Sequence, residues 1–112
     1  MTRGEIYWAD YGVPFGSEAG FRRPVVIVQD NNFNIKELRT VVVVPLTTNL
    51  LLAEYKDNIL LEKAITKLKQ DSVALIPQIG SVDKSCLVEK IAKLSPAKML
   101  EISHALSDLL TI

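Results

Sequence analysis

Two runs of β-branched residues dominate the hydrophobic pattern, Val25-Val26-Ile27-Val28 and Val41-Val42-Val43-Val44. Such side chains favour an extended backbone and need burial on a sheet, so both runs are read as strands. The connection from Gln29 to Leu38 is rich in Asp and Asn and has no room for a crossover helix, which makes the two strands antiparallel neighbours. Antiparallel pairing keeps the sum of opposed residue numbers constant. A turn centred near Ile35 sets that sum at about 70 and puts Arg23 opposite Thr47 at one edge of the sheet.

Polar and apolar positions elsewhere predict the remaining elements. Glu5 to Asp10 mixes aromatic and β-branched residues between Gly4 and Gly12 and reads as the first strand. Pro14 to Gly20 carries a proline and two glycines, and is expected to be a loop of the kind that carries binding residues. Leu50 to Ala53 suggests a short helical turn, with an extended segment from Tyr55 to Leu61. From Leu61 to Leu68 the apolar spacing of four and three by itself argues for a helix. Ser72 to Ile76 reads as a strand, Val82 to Lys84 as a turn, and Leu87 to Leu94 as a further strand.

The period changes at Ser95-Pro96, where a capping hydroxyl precedes a proline suited to the first helical position. Met99, Ile102, Leu106 and Leu109, widened by Ala105 and Leu110, form one stripe of a helix of about four turns. Strands up to residue 94 and one terminal helix give a single α+β domain over residues 1–112, with a small, strongly curved, partly barrel-like antiparallel sheet.

Composition narrows the chemistry. The 112 residues are 48% hydrophobic, enough for one core with apolar surface to spare for a subunit interface. Thirteen basic and thirteen acidic residues cancel, so any grip on nucleic acid must be local. No apolar run approaches the roughly 18 residues of a membrane span, and the lone Cys86 fits a reducing cytoplasm. One histidine, one cysteine and scattered carboxylates give no metal-ligand spacing, so no metal is expected. His104, alone in the terminal helix, is read as structural or solvated.

The order and spacing of several short motifs carry a resemblance. Arg3-Gly4-Glu5-Ile6-Tyr7, Gly16-Ser17-Glu18, Arg23-Pro24, Pro45-Leu46-Thr47, Asp71-Ser72-Val73, Gln78-Ile79 and Val82-Asp83-Lys84 are together similar to the MazF/PemK (Kid) family of toxin endoribonucleases. The likeness runs over nearly the whole chain. It implies a MazF/CcdB-like, SH3-like barrel with a C-terminal helix, and a strand end and loop, not a helix, from Leu61 to Leu68. It also implies a cytoplasmic homodimer that cuts single-stranded mRNA without cofactor or metal and is silenced by a cognate antitoxin, with DNA bound only through that antitoxin.

The resemblance gives Arg23 and Thr47 as the catalytic pair, and the chemistry suits them. Attack of a ribose 2′-hydroxyl on the adjacent phosphorus gathers negative charge on the non-bridging oxygens, which a guanidinium fork can hold with two hydrogen bonds. Products would be a 2′,3′-cyclic phosphate, or a 3′-phosphate, and a 5′-hydroxyl. A guanidinium stays protonated at neutral pH, so it is read as an electrostatic clamp and a candidate proton donor, and not as the base. Glu18 is one candidate acceptor for the 2′-hydroxyl proton. Ser17, Glu18, Arg22, Asn34 and Gln78 are the expected RNA-binding residues, with Phe15, Phe21 and Phe33 as candidate stacking platforms and Asn31 and Asn32 as further base-edge readers. Two other readings stay open: a non-enzymatic toxin of the same fold that binds a protein such as gyrase, and an inactive RNA-binding module.

Overall fold

Successive residues of the valine runs enter two different cores, and this two-sided burial explains why they lack polar alternation. The computed structural model describes residues 1–12 and 22–112. Its elements are β1 (Glu5–Asp10), β2 (Arg22–Ile27), α1 (Asn31–Asn34), β3 (Thr40–Thr47), β4 (Ile59–Leu61), α2 (Lys63–Thr66), β5 (Ser72–Ala74), β6 (Gly80–Asp83), β7 (Leu87–Lys93) and α3 (Pro96–Leu110). The strands form one antiparallel sheet in the order β4-β5-β3-β2-β1-β7, and β6 also pairs with β3. β3 is shared along its length: Thr40 to Val43 pair with β6, and Leu46 and Thr47 with β5.

On one face Ile6, Val26, Val44 and Leu46 pack with Leu61, Ile76 and the buried side of α3. On the other, Ala9, Val25, Ile27, Val41, Val43 and Leu87 make a smaller second core, with Tyr7 and Val82 packed against it. The β2–β3 register is Val25 to Pro45, Val26 to Val44 and Ile27 to Val43. Each pair sums to 70, the register expected from a turn near Ile35. α1 is one turn inside that connection, capped by the Asp30 carboxylate, which accepts from Asn32 N at 2.7 Å.

α3 begins as expected. Ser95 Oγ accepts from Lys98 N at 3.2 Å, and Met99, Ile102, Ala105 and Leu106 are buried. Leu109 and Leu110 are exposed, so the apolar stripe leaves the core one turn before the helix ends.

Other elements depart from the pattern for local reasons. Leu50–Glu54 is a 3₁₀ turn, as expected, but the extended segment after it is confined to Ile59–Leu61. Lys63–Thr66 is a single helical turn, where the resemblance implied a loop and the periodicity a longer helix. Ile65 in it is exposed, and Lys67 at φ 62° reverses the chain, so no apolar stripe is buried to extend the turn. β5 stops at Ala74 because Pro77, which lacks an N–H, lies in a 3₁₀ turn over Ile76–Gln78. Residues 80–83 form a strand where a turn from Val82 was expected, because they zip onto the first half of β3.

Three N-terminal residues tie the strand ends together, and one of them, Arg3, also reaches α3. Gly4 takes φ +94°, donates to Ile27 O at 2.7 Å and accepts from Leu94 N at 2.9 Å, joining three strand ends. Arg3 donates to Val28 O and to Ser103 Oγ on α3. Glu5 is only 6% exposed, and its carboxylate accepts from Lys90 Nζ at 2.6 Å and from Thr2 N. Burial pushes the Glu5 carboxyl up, but the Lys90 and Thr2 bonds outweigh it and hold the group below the usual range.

Candidate active site

Arg23 lies near the start of β2 and Thr47 at the end of β3, so the antiparallel ladder brings the two strand ends together. Continued by two residues from Val25 and Pro45, the observed register sets Arg23 opposite Thr47. Side chains alternate along a strand, so both residues share the face of Val25 and the second core. Directly opposed side chains have Cβ atoms about 4.5–5.5 Å apart, close enough for a guanidinium and a hydroxyl to reach one phosphate. Thr47 Oγ1 accepts from Asn49 N at 3.2 Å, which fixes the oxygen and leaves its own proton available to donate.

Across β2 from this pair runs β1, in which Ala9 faces Arg23. Leu87 faces Ala9 from β7, so Leu87, Ala9 and Arg23 form one row across three strands, with two apolar residues beside the arginine. Tyr11 is the residue just after β1, two positions beyond Ala9, and is 45% exposed. Burial pushes its phenol up and the Arg23 charge pulls it down by less, so the hydroxyl is a proton carrier at neutral pH. Tyr11 carries no motif signal, and only the β1–β2 register reveals its place beside Arg23.

The intervening residues build a second feature on the opposite face. Trp8 and Pro24 face each other across β1 and β2 and, with Leu68 and Ile91, wall a cleft of about 560 Å³. Thr48, next to Thr47, also lines it, together with the exposed Lys67 and Lys69. The Arg22 guanidinium lies 5.9 Å from the centre of the Trp8 ring, a cation–π contact that anchors it on the cleft side. Adjacent arginines thus serve different faces of one strand.

The other expected RNA-binding residues scatter. Ser17 and Glu18, like Phe15 and Phe21, lie outside the described residues. Gln78 is exposed in the 3₁₀ turn between β5 and β6, alongside β3. Asn34 is at the far end of β2, roughly 15–20 Å along the strand from Arg23. Its amide is tied to Gln29 Nε2, Gln29 O and Asn31 Oδ1, so it shapes the β2–β3 connection instead of the Arg23 edge. Phe33, exposed under Lys36 at 4.8 Å, and Asn31, which accepts from Arg3 N, share that remote end. His104 is exposed on α3. Among the described residues no group of three or more His, Cys, Asp or Glu is placed to share a metal, and no helix is long and apolar enough to cross a membrane.

Known proteins share this arrangement of strands and helix. Endoribonuclease MazF6 of Mycobacterium tuberculosis is 34% identical over 112 residues, covering all of this chain and 98% of its own. Endoribonuclease MazF of Staphylococcus saprophyticus is 42% identical over 106 residues, covering 95% of this chain and 88% of its own. A mycobacterial endoribonuclease solved in complex with its cognate antitoxin superposes with a TM-score of 0.76 at 25% identity, over 100% of this chain and 94% of that one. MazF from Deinococcus radiodurans shares the fold, with a TM-score of 0.79 at 21% identity over 100% and 97% of the two chains. The profile of the PemK-like, MazF-like toxins of type II toxin–antitoxin systems matches residues 2–110, and the chain belongs to that family.

Proposed function

We propose that this protein is the toxin of a toxin–antitoxin pair and an endoribonuclease that cuts single-stranded mRNA at a short sequence. The observation that supports the reading is the β2–β3 register, which, continued two residues past Val25 and Pro45, sets Arg23 opposite Thr47 at one half-buried strand end. The 2′-hydroxyl attacks the neighbouring phosphorus in line, Arg23 holds the non-bridging oxygens as a fork, and Thr47 donates a hydrogen bond to the same phosphate. A 2′,3′-cyclic phosphate, or the 3′-phosphate from its hydrolysis, and a 5′-hydroxyl remain. The lack of ligand spacing in the sequence supports a metal-independent reaction.

Gln78, Ser17 and Glu18 are the proposed RNA contacts of this site, and Arg22 is a further contact for RNA that reaches the Trp8 side of the strand. The working form is a cytoplasmic homodimer, silenced by an antitoxin whose acidic segment orders on binding and through which DNA is engaged. Purified protein incubated with a long RNA in EDTA, followed by sequencing of the fragment ends, tests the reading. Cuts within one short sequence and 5′-hydroxyl ends are expected. Intact RNA under these conditions, with growth arrest still caused in cells, would shift the function to protein binding.

A further inference from the structure

Cleavage by this route needs a proton for the departing 5′-oxygen, because an alkoxide is a far poorer leaving group than an alcohol. A guanidinium is in general a weak proton donor and an aliphatic hydroxyl a weaker one. His104 lies on α3, away from the Arg23 edge. The register of β1 supplies a better donor. Ala9 faces Arg23 and Asp10 faces Arg22, so Tyr11, the residue that leaves β1, starts one diagonal step from Arg23, a gap that a long aromatic side chain can span. It is also partly exposed, so substrate can reach it.

Resting on the proposed nuclease reading, we infer that the Tyr11 hydroxyl is the general acid that protonates the 5′-oxygen leaving group, beside the phosphate clamped by Arg23. The 2′-oxygen–phosphorus bond forms as the phosphorus–5′-oxygen bond breaks. The 5′-oxygen takes the proton from Tyr11 Oη, and the 2′-hydroxyl releases its proton to water. The tyrosinate left behind faces the Arg23 guanidinium, and a solvent proton restores it.

Electrostatics agrees with this assignment. Burial favours the protonated phenol before the reaction, and the nearby Arg23 charge favours the anion that forms during it. The same guanidinium therefore serves the phosphate and the acid.

The test uses a short RNA spanning a linkage that the wild-type protein cuts, and the same RNA with sulfur replacing the bridging 5′-oxygen of that linkage. A thiolate leaves without a proton. Tyr11→Phe, shown to be folded by its unfolding curve, should cut the oxygen substrate on the order of a hundredfold slower, and the sulfur substrate within a fewfold of wild type. Arg23→Ala should be slow on both. Equal slowing of Tyr11→Phe on the two substrates, or no slowing on either, overturns the general-acid role and leaves the nuclease reading standing. A wild-type protein that cuts neither substrate nor any longer RNA overturns both.

Discussion

Val25 stands opposite Pro45, and that pairing governs everything at the Arg23 edge, because a shift of one residue would turn either Arg23 or Thr47 to the wrong face. The pair is fixed from behind by buried valines on both strands. Its geometry is thus a property of the core and does not depend on a contact between the two polar side chains.

This separates catalysis from folding at both positions. Arg23→Ala should lower the cleavage rate on the order of a hundred- to thousandfold, as for removal of one well-aimed donor, and Arg23→Lys should restore only part of it. Thr47→Val keeps the β-branched shape and deletes the hydroxyl, so its rate loss reports the hydrogen bond. Urea midpoints of both variants should stay close to wild type. Wild-type cleavage by folded Arg23→Ala would remove Arg23 from the mechanism.

Glu5 predicts a pH dependence of stability. Its carboxyl is depressed in the folded protein, so its ionised form stabilises the fold above the unfolded value of about 4.3. That contribution should fade as pH falls through the folded value, below the usual carboxylate range. Glu5→Gln removes the charge and turns one of the two accepting oxygens into a donor that faces another donor, and should cost roughly 1–3 kcal/mol at neutral pH. The difference from wild type should shrink in acid, as followed by urea unfolding between pH 7 and pH 3. A gap that stays constant over that range would show that the Lys90 bond contributes nothing.

Gly4 is the residue of the Arg3-Gly4-Glu5 motif least able to vary. An L residue is strained at φ +94°, and an added Cβ would lie 3.3 Å from Met99 Cγ on α3. Gly4→Ala should therefore destabilise by about 1–3 kcal/mol, read as a lower melting temperature. Gly12, at φ +79° with no atom of the described residues within 4 Å of an added Cβ, carries the backbone strain without such a contact. Gly12→Ala should cost less, and equal losses would show that the Met99 contact is irrelevant.

What could be read from sequence followed how local the cause was. The valine runs, the Ser95 cap and the β2–β3 register depend on neighbouring residues and one short connection, and all three match the structure. Residues 80–83 became a strand only because distant β3 offered an open edge, which no local pattern announces. The site behaved likewise. Arg23 and Thr47 are opposed only by continuing the matched register two residues, while Asn34, close to Arg23 in the sequence pattern, is committed to hydrogen bonds at the other end of the strand. Tyr11 is not legible in the sequence, because a tyrosine at a strand exit carries no chemical signature until its neighbour is known.

Trp8 is the one tryptophan in the chain, and it forms a wall of the cleft behind the Arg23 edge, with a cation poised over its ring. The protein therefore contains its own optical reporter. Any ligand that fills the cleft or draws Arg22 off the indole should alter the emission of a single fluorophore, with no label and no competing signal from another tryptophan. Titration with RNA and with an antitoxin peptide would then show which of them reaches this side of the sheet. Emission unchanged by both, at concentrations where binding is seen by other means, would mean that neither enters the cleft.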